Sequence, residues 1–222
     1  MNMKKSDPHA VDRGIRTTFG RIFMCGLAFC LLLSAIPAGV AASEVISLPD
    51  ANLEAVVRDE LGISGGDITD DDMAALHVLD ADEKKISDLS GLEYAVNLRD
   101  LDLEDNQVSD LGPLANLTRL RELGLESNQV SDLSPLVNLT RLKKLDLEEN
   151  QVSDLTPLAG LPYLRDLDLE SNRVSDLTPL LDSKLSRGSS VKLYHNDLDF
   201  TPGSAAMRDI EALEERGVDV SY

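Results

Sequence analysis

The chain has 222 residues, 42% of them hydrophobic but only 4% aromatic, with no Trp. That composition supports a packed core of Leu and Val rather than rings, in one domain or at most two. A formal charge of −19 makes nucleic acid and anionic membrane surfaces poor partners, and leaves basic proteins, cations or saline surroundings as the compatible ones.

Residues 1–42 read as a secretory signal peptide. Lys4, Lys5, Arg13, Arg16 and Arg21 form a basic front, Ile22 to Leu33 an apolar run, and Ala38 to Ser43 a small-residue end. The run is shorter than the ~20 residues of a spanning helix. Cleavage is expected after Ala42, with an uncleaved anchor stretched through Ile36 to Ala42 as the alternative. Cys25 and Cys30 lie inside the run without the small residues that precede an acylated Cys, so cleavage leaves no thiol and no disulfide. Beyond residue 42 the chain keeps 38 of 40 acidic and 16 of 21 basic residues, a balance of −22.

Residues 43–75 are expected to form a helical N-terminal cap. Pro49-Asp50 precedes an apolar face of Leu53, Val56, Val57 and Leu61, and Gly62 stops it. A second short helix is expected from Thr69, with Asp70, Asp71 and Asp72 in its first turn and Met73 and Leu76 facing inward. The run Asp67 to Asp72 lacks the alternating ligands and central Gly of an EF-hand, which favours capping over calcium.

A 22-residue period dominates the middle. Units start at Ile86, Val108, Val130 and Val152, and a fifth, two residues longer, at Val174. Each carries L-x-x-L-x-L-x-x-N: Leu98, Leu101, Leu103 and Asn106 in the first, then the same set ending at Asn128, Asn150 and Asn172. Weaker copies flank them, with Leu76, Leu79, Ala81 and Lys84 before, and Val191, Leu193 and Asn196 after. The alternation around Leu101 and Leu103 is that of a strand. Asn106 stands where the chain turns, able to bond backbone groups that stacking would bury. Ser109-Asp110 with Pro113 suggests a short helical or 3₁₀ turn on the way back. One unit cannot bury its own leucines; a stack makes one continuous core.

This pattern resembles the leucine-rich-repeat family, specifically the 22-residue bacterial class seen in internalins, over residues 76–197. The resemblance implies an α/β solenoid, a horseshoe of about six rungs with a curved parallel sheet and a ligand-binding concave face. No immunoglobulin-like segment or cell-wall sorting motif matches the longer internalin architecture, so a host-invasion role is not carried over.

Residues 198–222 are expected to form a helix-plus-strand C-terminal cap. Thr201 to Ser204 precede a helix from Ala205 to Arg216, with Met207, Ile210 and Leu213 inward; Gly217 stops it and Val218 to Val220 form a last strand.

The outward strand positions are the candidate partner-binding face. One column reads Val78, Asp100, Glu122, Lys144, Asp166, Ser190; the next Asp80, Asp102, Gly124, Asp146, Asp168, Lys192; the third Asp82, Glu104, Glu126, Glu148, Glu170, Tyr194. Like charges about 4.8 Å apart repel by roughly 1 kcal/mol per pair in water, a cost that cations or a partner must offset. Arg99, Arg121, Lys143 and Arg165, just before the strands, are expected to neutralise part of it. Tyr194, beside His195, is either a contact anchor or a variation packing on the cap. The chain is expected to be an exported binding module, secreted, periplasmic or on the cell surface, working as a monomer on a basic protein or peptide. Neither nucleic-acid binding nor membrane insertion after signal cleavage is expected. The alternative is a structural or envelope protein, acidic for solubility in salt, which fits the six Lys left beyond residue 42. No cofactor, metal or catalysis is expected: His77 and His195 stand at opposite ends of the array, and no phosphate loop or nucleophile motif is present. The sequons at Asn116 and Asn138 come with the repeat and read as structural.

Overall fold

The computed structural model describes residues 43–222, and the expected signal peptide and its cleavage point lie outside the described residues. Among the described residues no helix is long and apolar enough to cross a membrane.

The chain first makes β1 (Val45–Ile46), which pairs antiparallel with β2 (Ile68–Thr69). Strands of two residues carry no readable alternation, which is why sequence pattern missed this ribbon. Between them runs α1 (Ala51–Leu61), with Leu53 and Val57 fully buried and Val56 and Leu61 only partly. One oxygen of Asp50 accepts the N–H groups of Asn52 and Leu53 and starts the helix. Its other oxygen accepts those of Ser87 and Asp88, thirty-odd residues on. Burial pushes the Asp50 carboxyl up, but these four backbone donors outweigh it and hold it below the ordinary value. The second helix, α2 (Asp70–Ala74), starts at a capping box between Thr69 and Asp72. The side chains of Asp70 and Asp71 accept the Glu44 N–H and the Ser43 hydroxyl, so all three acids are engaged in local bonds.

Seven strands then form one parallel sheet in sequence order: β3 (Val78–Asp80), β4 (Asp100–Asp102), β5 (Glu122–Gly124), β6 (Lys144–Asp146), β7 (Asp166–Asp168), β8 (Ser190–Lys192) and β9 (Asp219–Ser221). From β3 to β7 the register steps by the repeat itself, so Leu79, Leu101, Leu123, Leu145 and Leu167 form one buried column. Leu103, Leu125, Leu147 and Leu169 form the next. The return path is 3₁₀ at Gly112–Leu114, Ser134–Asn138 and Thr156–Leu158, and becomes α3 (Thr178–Leu181) in the longer fifth unit. Asp110, Asp132, Asp154 and Asp176 each accept the backbone N–H two residues on, so the turn is held by aspartate and given its φ by Pro.

The asparagine column closes each turn. The Asn106 amide donates to the carbonyls of Ala81, Leu103 and Glu104, and its oxygen accepts the Ile86 N–H at 2.8 Å. Asn128, Asn150, Asn172 and Asn196 repeat the set. The residue before each Asn, from Asp105 to His195, takes left-handed φ between 51° and 56°. Lys84 supplies no such amide, and there both Glu83 and Lys85 have positive φ. The first turn also has Gly91 where later turns have Pro. Its φ is 98°, and a Cβ would lie 2.5 Å from Leu48 and 2.8 Å from the Ser47 carbonyl. Only glycine lets the N-terminal segment approach that closely.

At the far end, α4 (Ala205–Glu215) starts where the Ser204 hydroxyl accepts the Met207 N–H. It ends one residue before the expected Arg216, and it buries Ala206, Ile210 and Leu213. Met207, expected inward, is half-buried; Ala206 takes the covered position. β9 then adds to β8 as the edge strand.

Candidate functional site

The fifteen charged and aromatic positions of the three columns share the outward face of this sheet, because strand alternation sends every central leucine the other way. Hydrogen-bonded register places Asp80, Asp102, Gly124, Asp146, Asp168 and Lys192 in one column, and Val78, Asp100, Glu122, Lys144, Asp166 and Ser190 in another. Backbone bonds carry the third column onward: the N–H groups of Glu83, Asp105, Ser127, Glu149 and Ser171 donate to the carbonyls of Glu104, Glu126, Glu148, Glu170 and Tyr194.

Depth varies within the columns. Asp80, Glu122 and Asp166 are exposed; Asp82, Asp100, Asp102, Glu104, Glu126, Asp146, Glu148 and Glu170 are half-covered; Asp168 is only 7% exposed. Two triads share Asp146. In Glu104, Glu126 and Asp146, and again in Asp146, Glu148 and Asp168, carboxylate oxygens lie within 4.8 Å of one another. Burial pushes the Glu104 carboxyl up, Asp102 and Asp146 push it further, and Lys144 offsets part. Burial and then Glu104 and Asp146 raise Glu126; burial and then Asp168 and Glu126 raise Glu148. Asp146 is raised by burial against the Glu148 N–H that it accepts, with Asp168 adding to the rise. These groups hold their charge at a cost.

Among the described residues one lysine forms an ion pair on this face. Lys192 Nζ lies 2.5 Å from Asp168 Oδ2, and that bond, then the charge itself, raises the Lys192 pKa. His195 Nδ1 stands 3.4 Å from Glu170. The basic column makes no contact ion pair: Arg99, Arg121, Lys143 and Arg165 are all exposed, and among the described residues none lies within 4 Å of a carboxylate. Their side chains sit beside the ladder and reach solvent instead. Tyr194 is 42% exposed. One strand beyond it, Tyr222 stacks on Phe200 with ring centres 5.3 Å apart, an exposed aromatic pair that no periodicity announced.

Two hollows interrupt the face. The first, about 260 Å³, is lined by β3, β4 and β5 residues with Glu104 and Lys144; the second, about 250 Å³, by β6, β7 and β8 residues, Lys144 again included. Lys144 divides them. Gly124, read in the sequence only as a gap in a column, lines the first.

A family model described as leucine-rich repeats (2 copies) matches residues 96–138 and 140–182. No curated protein matches the chain. Among solved structures, an internalin (inlF) from Listeria monocytogenes is similar at 28% identity and a TM-score of 0.59, over 81% of this chain and 58% of that one. Internalin C2 of the same organism is similar at 27% identity and a TM-score of 0.56, over 83% of this chain and 93% of that one. The functional domain of InlJ, which includes a cysteine ladder, shares the fold at 22% identity and a TM-score of 0.56, over 75% of this chain and 42% of that one. The chain thus spans just over half of the first of these and nearly all of the second.

Proposed function

We infer, from a chain that is a bacterial leucine-rich-repeat protein of the internalin-like class, that the acidic concave face of its sheet docks a basic polypeptide. Its repeats form a protein-interaction module; the finer assignment rests on the ladder. Asp80, Asp82, Asp100, Asp102, Glu104, Glu122, Glu126, Asp146, Glu148, Asp166, Asp168 and Glu170 face the partner, with Lys192 and Tyr194 at its last rung. The carrying observation is that four of these half-covered carboxyls crowd within the ladder and are raised by burial and neighbouring acids, while among the described residues Lys192 is the one lysine ion-paired on the face. A fold gains nothing from holding such groups together. A cationic partner gains from every one, in steering and in contact.

Residues 1–42 direct export and are removed, 43–75 and 198–222 close the two ends, and 76–197 present the face outside the cytoplasm. The module works as a monomer by binding rather than by catalysis, and does not engage nucleic acid. The alternative, acidity for salt tolerance alone, loses its support from the convex side. Aspartates such as Asp132 and Asp154 there have a local duty in each turn.

Capture of partners from the native surroundings at low and high salt tests the reading. Neutralising Asp102, Asp146 and Asp168 together to Asn is expected to abolish salt-sensitive capture. Capture that ignores both salt and these substitutions sinks it.

A further inference from the structure

We propose that the hollow at Gly124 is a subsite for one lysine side chain of the partner. The proposal rests on the acidic-face reading and sharpens it to a position. Gly124 occupies a column in which the strands on either side carry Asp102 and Asp146. Its φ is not in the left-handed region, so no backbone demand explains the glycine. What its absent side chain leaves is space. A Cβ there would stand 3.1 Å from Asp102 Oδ1 and 3.2 Å from Glu104 Oε1, so two carboxylates lean into the gap. Asp80 and Glu122 complete the walls, and the strand backbone at Leu101 and Leu123 forms the floor. Among the described residues none of these four acids is within 4 Å of a cation.

The second hollow shows what such a site accepts. There the column carries Asp168, and the chain's own Lys192 places its ammonium 2.5 Å from that carboxylate. The first hollow offers the same kind of acid wall with, among the described residues, no amine in ion-pair contact with it; Lys144 lines its rim without reaching those carboxylates. An alkyl stem laid along the strand backbone and an ammonium between Asp102 and Glu104 fit such a space. Lys144 at the rim bars continuation into the second hollow, which restricts the subsite to one side chain.

The probe is capped trilysine, titrated into the full chain and followed by amide chemical shifts. The largest shifts are expected at Gly124, Asp102 and Glu104, with none from the Nε-acetylated peptide. Gly124→Asp restores the column residue and adds a negative charge, yet it fills the hollow; binding is expected to weaken about tenfold, the scale of a lost anchor contact. Gly124→Ala, a smaller plug without added charge, is expected to weaken it less, and guards against misfolding of the first variant. Unchanged or tighter binding by Gly124→Asp, as a diffuse negative field predicts, overturns the subsite. So do shifts spread evenly along the ladder. Neither result touches the broader reading, which fails only if neutralising Asp102, Asp146 and Asp168 leaves partner capture intact.

Discussion

The aspartates of the outer turns and the acids of the inner face are chemically alike and electrostatically opposite. On the convex side, Asp132 is lowered by the backbone N–H and the hydroxyl of Ser134, Asp154 by the hydroxyl and N–H of Thr156, and Asp176 by those of Thr178. Each is ionised with donors already in place. On the inner face, Glu104, Glu126, Asp146 and Glu148 are raised, first by burial and then by neighbouring acids, Asp102 and Asp168 among them. One repeat therefore carries acids that help the turn and acids that burden the sheet. The first group helps hold the turns; the second burdens the sheet, and the proposed cationic partner is what would offset it.

The largest effect that separates structural from surface polarity belongs to the asparagine column. In Asn128→Ala the carbonyls of Leu103 and Leu125 and the N–H of Val108 lose a partner inside the stack. Leaving such groups unpaired is expected to cost about 3 kcal/mol in chemical denaturation, because the protein gives up bonds that water cannot replace there. A cost under about 1 kcal/mol would mean that solvent enters the turn, and that the asparagines are not what closes it.

Much of this was legible because the period does two jobs at once. Residues 22 apart are stacked, so the leucine columns, the Asn turns and the three outward columns could be written from spacing alone, and the register agrees. What spacing cannot give is depth and reach. Asp102 and Asp168 are equivalent in the repeat, yet Asp168 is 7% exposed because Lys192, from the irregular sixth rung, lies over it. Gly124 is one letter in a column, but its effect depends on where the side chains of Asp102 and Glu104 lean. The second grip of Asp50, on Ser87 and Asp88, joins segments with no shared pattern. The basic residues before the strands show the same limit: adjacency in sequence to an acid does not bring a long side chain into ion-pair contact with it.

Stability against pH reads both populations in one experiment. The raised inner carboxyls titrate in the folded state above their unfolded values, near 4.5 for Glu and 3.8 for Asp. Their contribution therefore appears as pH falls through the raised values and is complete below the unfolded ones. The lowered aspartates, Asp50 and those of the outer turns, contribute fully above 3.8 and lose it as pH falls through their lowered values. The thermal midpoint of the full chain is expected to rise from pH 7 towards pH 4.5, then to fall below 3.8. Glu104→Gln with Glu126→Gln and Glu148→Gln should flatten the rise and spare the fall. A midpoint that declines steadily from neutrality contradicts the separation.

The smallest effect is the most pointed. Asp146 belongs to both triads, so Asp146→Asn removes one charge from each. The amide oxygen can still accept the Glu148 N–H, a bond of 3.3 Å, so the strand keeps its geometry. The change also forfeits some attraction to Lys144 and Lys192, but the net rise of the Asp146 carboxyl means the fold favours the neutral form more than the unfolded chain does. Stability at pH 7 should increase by up to about 1 kcal/mol, and the gain should vanish at acid pH, where the parent residue is itself protonated. The same substitution should weaken any basic partner. A residue whose removal helps the fold and harms the binding is held in place by the binding. Should Asp146→Asn destabilise the free protein at neutral pH, the inner ladder would belong with the outer turns, and the need for a cationic partner to explain it would disappear.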